Sequence, residues 1–344
     1  MQAITAESIE KKRRSRSILV MSILAVLIFT TFIISMNTGV IKLTPKDLFM
    51  TLFGQGTDRQ ELVLFQFRLP RIVISMLIGA GLALSGCIMQ GITRNALADP
   101  GLLGINAGAG LVVMLYVSYF PTTANVPVFF LPMLAFGGAA LTAFLIYVLA
   151  YKKHEGIMPT RLILTGVAVA AGISAAMIVL TLRLNPEKYQ MVATWLAGSI
   201  WGTNWKFVMA LLPWLLFLIP YVMTKAQTMN VLNLSDATAR GLGAHVSREQ
   251  LKLLAAGVAL AASCVAVSGG IGFVGLIGPH LAKRLVGPKH QGLLPASALV
   301  GALLVLTADT IGRWAIRPSE IPTGIVTAVI GAPYFLYLMT RTRG

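Results

Sequence analysis

Five glycines and a proline between positions 269 and 279 are the residues whose types and spacing most resemble a cofactor loop. Gly270, Gly272 and Gly275 have the G-x-G-x-x-G spacing that lets backbone approach a dinucleotide pyrophosphate. That fingerprint also needs a preceding strand and an acidic residue about 20 positions later, yet no Asp or Glu lies between Glu249 and Asp309. Glycines in apolar surroundings favour close packing and interruption of a membrane helix instead. We predict this helix-packing and gating role for Gly269, Gly270, Gly272, Gly275 and Pro279.

Other residues that could do chemistry are isolated. A Walker A loop requires a Gly-Lys dipeptide, and the chain contains none, so it is not its own P-loop ATPase. Cys87 and Cys264 lie in apolar segments without C-x-x-C spacing, as buried small hydrophobes do. His280 has no other ligand type at a helical spacing, which favours a structural hydrogen bond over metal binding. The sequence predicts no catalytic residue, no metal site and no cofactor.

The charged residues are placed more for ion pairing than for ion-coupled transport. A secondary transporter usually carries ionisable groups at mid-membrane, whereas the acids here lie almost wholly in loops or at the ends of apolar segments. Asp309 precedes Arg313 by four residues, the spacing of a helical ion pair. Arg68 and Arg71 lie at the mouth of an apolar segment, and Arg313 follows another. These three arginines either bind carboxylates of a partner protein or anchor helix ends at the interface, and the residues alone leave both readings open.

The composition predicts that membrane-spanning helices position these residues. Hydrophobic residues make up 56% of the 344, charged residues 12%, and the mean hydropathy is +0.78. Continuous apolar runs of roughly 20 residues predict helices, because a helix satisfies its own backbone in lipid. The net charge of +16 need not indicate nucleic acid, since basic residues collect on cytoplasmic loops. We therefore predict an all-α polytopic membrane protein without a nucleic-acid partner.

Ten spans are predicted, with both termini on the cytoplasmic side. With that orientation 18 of the 28 basic residues lie in cytoplasmic segments. Residues 1–17 form a basic cytoplasmic segment, and residues 18–344 form one transmembrane domain. The spans are at about 18–36, 69–93, 102–120, 128–151, 162–182, 207–224, 251–267, 271–285, 293–312 and 324–340.

The longest polar connection runs from Lys225 to Lys252 and is predicted to be cytoplasmic. Ser235 reads as an N-cap of a short helix over 237–240, which Gly241 and Gly243 end. Ser247 and Gln250 have the spacing of a capping box that starts the next helix at Leu251. One helical turn is unstable alone, because nucleation costs more than one turn returns. The short helix is therefore expected to dock against a partner.

Several long motifs together resemble one known family, the FecCD-type permease subunits of bacterial importers for iron-siderophores, haem and cobalamin. The resemblance extends from about Lys46 to the C-terminus. The motifs are RLPR at 68–71, GAGLALSGCIMQGITRNALADPGLLGINAGAG at 79–110, LSDATARGLG at 234–243, SGGIGFVGLIGPHLAKRLVG at 268–287 and IPTGIVTAVIGAPYFLYLM at 321–339.

The resemblance implies a type II ABC importer permease in the bacterial cytoplasmic membrane. It implies cytoplasmic ATP-binding subunits, an extracytoplasmic substrate-binding protein and a second permease subunit, identical or paralogous. It assigns Arg68, Arg71 and Arg313 to docking of the binding protein. It assigns ATPase coupling to Ser235, Asp236, Ala239, Arg240, Gly241, Leu242 and Gly243.

The cargo that the resemblance favours is an iron-siderophore, and this chain itself is expected to hydrolyse no ATP. No residue identifies the cargo, so cobalamin and haem remain alternatives within the same mechanism. A secondary transporter working alone and a channel-like or scaffolding membrane subunit remain alternatives of a different class.

Overall fold

The computed structural model describes residues 6–39, 45–120, 127–152, 156–316 and 319–341. These residues form a helical bundle with one short strand pair, β1 (Tyr151–Lys152) and β2 (Gly156–Ile157), which are antiparallel. The first eight helices are α1 (Ala6–Asn37), α2 (Pro45–Leu52), α3 (Asp58–Glu61), α4 (Leu69–Thr93), α5 (Ile105–Tyr119), α6 (Phe130–Ala150), α7 (Pro159–Thr181) and α8 (Pro186–Leu196). The remaining helices are α9 (Trp205–Thr224), α10 (Ala226–Leu232), α11 (Asp236–Gly241), α12 (Val246–Ser268), α13 (Val274–Val286), α14 (His290–Ala315) and α15 (Thr323–Arg341).

Every predicted span corresponds to one of these helices, which confirms the all-α polytopic membrane fold. Among the described residues, eight helices are long and apolar enough to cross a membrane. The other two spans contain α5, with 15 residues, and α13, with 13 residues. Both are shorter than the roughly 20 residues that a straight crossing needs. A 3₁₀ turn at Pro100–Leu103 precedes α5, and the glycine-rich stretch 269–273 precedes α13. Backbone that is not α-helical therefore begins both spans.

The helix α4 lies at the centre of the bundle and packs against α12, α13 and α14. Small residues bring the backbones together at these crossings. A Cβ added to Gly79 would lie 2.2 Å from the Gly301 carbonyl oxygen on α14. A Cβ added to Gly86 would lie 1.8 Å from the Gly275 carbonyl oxygen on α13. Any side chain at these positions would force the helices apart.

Two long helices, α1 and α7, bury little of their surface against the rest of the chain. From Ile18 onward α1 exposes many large apolar residues, among them Leu19, Val26 and Phe29. The exposed stretch 171–176 of α7 consists mainly of small residues, and Gly172 has no atom within 4 Å of an added Cβ. Large apolar side chains suit contact with lipid tails, whereas small residues let a second helix approach closely.

The basic N-terminal segment is part of α1 as far as it is described. The helix begins at Ala6 and continues without a break through the basic residues to Asn37. Residues 1–5 of the segment predicted over 1–17 lie outside the described residues.

Candidate functional site

The first candidate site is the arginine cluster, defined as Arg68, Arg71, Asp309, Arg313 and Glu320. Asp309 is 1% exposed and bridges two guanidinium groups. Its Oδ1 accepts from Arg71 Nη2 at 2.8 Å, and its Oδ2 accepts from Arg313 Nε at 3.0 Å. A second acid, Glu320, places Oε2 2.7 Å from Arg71 Nη1. The Asp309–Arg313 pair is the one that the i, i+4 spacing predicted.

The same arginines also bind the C-terminal end of α1, whose last carbonyls have no partner within the helix. Arg68 donates to the Met36 carbonyl, and Arg313 donates to Ser35 Oγ and, at 2.9 Å, to the Thr38 carbonyl. Arg68 and Arg313 are 6% and 5% exposed. The structure thus brings the three predicted docking residues together, but turns them inward onto acids and carbonyls of the same chain.

The second candidate site is the 225–252 segment, which lies at the opposite end of the bundle from the arginine cluster. Its short helix α11 begins after Ser235, whose Oγ accepts from the Thr238 N–H at 3.1 Å, as the sequence predicted. Ala239 is fully buried and holds α11 against the bundle. The turn after it is exposed, with Leu242 64% exposed and Gly243 at φ 83°, a conformation that favours glycine. The exposed positions next to this turn are Arg240, Gly241, Leu242 and Gly243.

Arg94 connects this segment to the central helix α4. It follows the last residue of α4 with φ 50°, a left-handed backbone that is uncommon outside glycine. Its Nε and Nη2 both donate to the Leu232 carbonyl, at 3.1 and 2.8 Å. Nη2 also pairs with Asp236, the first residue of α11. One rigid guanidinium therefore joins the ends of α4 and α10 and the start of α11.

Two further polar residues, Lys225 and Asn230, hold the segment to α12 and α14. Lys225 Nζ lies 2.7 Å from Glu249 Oε2, and this hydrogen bond raises the pKa of Lys225 above its usual value. Asn230 accepts from the His290 N–H at 2.9 Å and donates to Gln291 at 2.8 Å. Sequence spacing does not reveal these contacts, because most of their partners lie far apart in the chain.

The predicted capping box at Ser247 and Gln250 is wrong. The helix α12 begins at Val246, and the His245 carbonyl accepts from the Glu249 N–H at 3.0 Å. Val246 and Gln250 are both buried, so the Gln250 side chain packs inward instead of folding back over an N-cap. Burial of one helix face outweighs the local capping preference here.

The glycine-rich stretch contacts the end of α8 and the loop before α5. A Cβ at Gly269 would lie 2.0 Å from the Trp195 carbonyl oxygen, and one at Gly270 3.0 Å from that of Leu196. At Gly275 it would lie 2.6 Å from Pro100 Cδ, whereas at Gly272 it would meet nothing within 4 Å. Pro279 lies inside α13 and is buried. Tight packing is thus a property of three of these four glycines, and gating remains a prediction.

The sequence favoured a structural hydrogen bond for His280, and the Nε2 atom of this side chain does not make one. That atom is buried and has no hydrogen-bond partner among the described residues, and neither has the hydroxyl of Tyr334. The two rings instead meet edge to face with their centroids 5.9 Å apart. Among the described residues there is no group of His, Cys, Asp and Glu that could hold a metal ion.

An apolar helical bundle with short broken spans and an anchored polar segment at one end is the architecture of a polytopic membrane protein. The model of the FecCD transport family matches residues 26–341. The chain therefore belongs to the FecCD transport family.

Individual relatives agree along nearly the whole chain. It is 49% identical to the iron(3+)-hydroxamate import system permease protein FhuG of Bacillus subtilis, over 96% of this chain and 99% of that protein. It is 36% identical to the hemin transport system permease protein HmuU of Yersinia pestis, over 94% and 96% of the two chains. A solved inward-facing structure, assigned to the metal-chelate type of ABC transporter, superposes with a TM-score of 0.80 at 32% identity, covering 94% of this chain and 99% of that one.

Proposed function

We propose that this chain is the permease subunit of an ATP-driven importer that moves an iron-siderophore inward across the bacterial cytoplasmic membrane. The observation that carries the proposal is the 49% identity to an iron-hydroxamate permease over almost the full length of both chains. Both termini and the 225–252 segment lie in the cytoplasm, consistent with the basic residues of that side. ATP is hydrolysed on separate subunits, because the chain lacks a P-loop.

The exposed turn of the 225–252 segment is the contact for the ATPase subunits. Leu242 and Leu234 are 64% and 45% exposed in an otherwise polar segment, and an apolar residue in such a position suits a partner surface. Arg240 lies beside them, and its charge can fix how the ATPase surface aligns on this turn. Arg94 transmits a displacement of α11 to α4, since the same guanidinium holds both. Arg240→Glu is expected to abolish uptake while the permease still folds.

The second permease subunit packs against α7. This helix buries little of itself, and the middle of its exposed face, 171–176, carries mainly small residues, whereas Leu164, Val167, Ile178 and Val179 are exposed on either side. Small residues permit close helix approach in lipid, so α7 faces protein and α1 faces lipid. The pathway then lies between two copies of α7 or between α7 and its counterpart in a paralogue.

The substrate-binding protein docks over the arginine cluster. Three arginines there face two acids, so the cluster has a formal excess of positive charge. Glu320 is the exchangeable acid, because its side chain is 25% exposed while that of Asp309 is fully buried. A carboxylate from the binding protein would replace Glu320 on Arg71. Charge reversal at Arg71 is expected to abolish capture of the loaded binding protein.

The deciding experiment is uptake of radiolabelled iron as a hydroxamate siderophore into iron-starved cells with and without this chain. Each strain also carries an active or a hydrolysis-dead partner ATPase. We expect uptake to require both. Uptake that is lost without this chain but survives the dead ATPase would indicate a secondary transporter, and normal siderophore uptake in every strain would direct the assay to haem and cobalamin.

A further inference from the structure

An open cavity of about 710 Å³ lies where the start of α1 meets the junction between α13 and α14. Its volume is within the roughly 300–1,000 Å³ of small-molecule sites. The described side chains that line it include five ionisable ones, and all five are cationic. They come from three separate parts of the chain, namely Arg13, Arg14 and Arg16 of α1, Arg284 of α13, and Lys289 before α14. We call this the basic cavity.

The backbone around the basic cavity also favours an anion. Arg16 Nη2 donates to the Arg284 carbonyl at 3.2 Å, which ties α1 to the end of α13. Gly287 follows α13 at φ 91°, and the 26-residue helix α14 begins three residues later. Gln291 and Gly292 of its first turn line the cavity. A helix N-terminus carries a partial positive charge, which adds to that of the side chains.

The other wall of the basic cavity is apolar. Ile18 and Met21 of α1 line it directly below the arginines, together with Val286. From there α1 continues as a helix whose large apolar residues are exposed, starting with Ile18 at 53% and Leu19 at 61%. Cations above and an open apolar face below mark the boundary between headgroups and acyl chains.

We propose that the basic cavity binds the phosphodiester headgroup of an anionic phospholipid, with its acyl chains lying along the exposed face of α1. The arginine forks match phosphate oxygens, and basic pockets between helices at this depth suit lipid headgroups. The apolar wall distinguishes a lipid from a free phosphate, which would leave Ile18 and Met21 uncovered. With the orientation proposed above, the lipid belongs to the cytoplasmic leaflet. The proposal does not depend on the cargo.

The test is lipid retention by the purified full transporter, measured by native mass spectrometry during titration with dioleoylphosphatidylglycerol. Dioleoylphosphatidylcholine, sn-glycerol 3-phosphate and inorganic phosphate are titrated in parallel. The test variant is Arg14→Gln with Arg284→Gln. The control is Lys152→Gln with Arg161→Gln, which removes the same charge from side chains beside the α6–α7 connection that do not line the cavity.

We expect wild type to retain phosphatidylglycerol at least about tenfold more strongly than phosphatidylcholine. Loss of two phosphate-binding side chains should weaken this retention about 25-fold, at about fivefold each, while the control stays close to wild type. Equal losses in both double variants, or no preference for the anionic lipid, would overturn the proposal. Binding of sn-glycerol 3-phosphate or inorganic phosphate as strongly as phosphatidylglycerol would also overturn the proposal. If the double variant does not purify as an intact complex, the single variant Arg13→Gln is used, because the Arg13 side chain is exposed. It should weaken retention of phosphatidylglycerol about fivefold on its own.

Discussion

The arginine cluster and the basic cavity lie at opposite ends of α1 and treat the same residue type differently. In the cluster, Arg71 and Arg313 share the buried carboxylate of Asp309. In the cavity, every ionisable side chain among the described lining residues is cationic. A guanidinium group that is withdrawn from water needs an acid or carbonyls beside it, whereas one at the membrane boundary can keep water or a lipid phosphate. Burial, not residue type, decides which arginines must have a partner within the chain.

This difference separates a structural charge from one that is available to partners. The arginine cluster fixes α1, α4 and α14 to each other at one end of the bundle. At the other end, Arg94 and the 225–252 segment form contacts that are partly exposed, and the cavity is open. Substitution of the buried Asp309 should therefore act mainly through stability, whereas Glu320, 25% exposed, is the acid of that end that a partner can replace. Substitutions at the other end should act mainly through interactions.

The largest expected effect is that of Asp309→Ala. Removing this buried acid leaves Arg71 and Arg313 without their shared carboxylate, and breaking a buried pair from one side costs about 3–5 kcal/mol of stability. The measurement is the thermal unfolding of the purified permease in detergent. The matched control is Glu320→Gln, which removes a carboxylate that is 25% exposed and should cost about 1 kcal/mol or less.

Equal destabilisation by Asp309→Ala and Glu320→Gln would contradict the assignment of Asp309 as the buried centre of the arginine cluster. It would also remove the basis for treating Glu320 as the exchangeable acid. In capture assays with the binding protein, Glu320→Gln should preserve or strengthen binding, because it frees Arg71 for the partner's carboxylate.

The sequence predicted those parts of the molecule whose cause is local. Apolar runs located all ten spans, and Ser235 marked the start of α11 because an N-cap acts within three residues. The Asp309–Arg313 pair followed from helical spacing alone. The pairing of Arg71 with Asp309 joins positions 238 apart, and Arg94 reaches Asp236 across 142 positions. Such contacts depend on which helices are neighbours, which a single sequence does not give.

The capping-box prediction failed because a local sequence signal was outweighed by packing of the helix. Ser247 and Gln250 have the right types and spacing, yet Gln250 is 8% exposed and faces the bundle. A local motif of about 1 kcal/mol is overridden when the alternative buries a helix face. The inward orientation of the arginines was missed for the same reason. The RLPR motif alone does not indicate that the end of α1 lies next to it.

The next effect in size is that of Arg94→Gln, at the end opposite the arginine cluster. The substitution removes the charged donor that joins α4 to α10 and α11. A hydrogen bond to a charged group contributes about 1.5–3 kcal/mol, and the Arg94 side chain is 40% exposed, so we expect about 1–2 kcal/mol. Uptake should fall several-fold, while ATPase subunits still bind at Leu242. Asp236→Asn is the control, since it leaves the bond to the Leu232 carbonyl intact. Equal uptake in wild type and Arg94→Gln would contradict the proposal that Arg94 couples α11 to α4.

The smallest effect is that of Ser235→Ala, which removes the N-cap of α11. A lost Ser cap costs about 1 kcal/mol, but α11 has only six residues and is anchored at Ala239, so the loss should remain local. Amide hydrogen exchange is the suitable measurement, because it reports opening of single segments without global unfolding. Exchange at Thr238 should become about fivefold faster, since its N–H loses the Ser235 acceptor, while amides around Asp309 should not change.

Ser235→Asp should restore protection, because Asp also caps and favours the positive end of the helix dipole. Faster exchange at both ends of the bundle would mean that the two ends are coupled through α4 and α14 and do not respond independently.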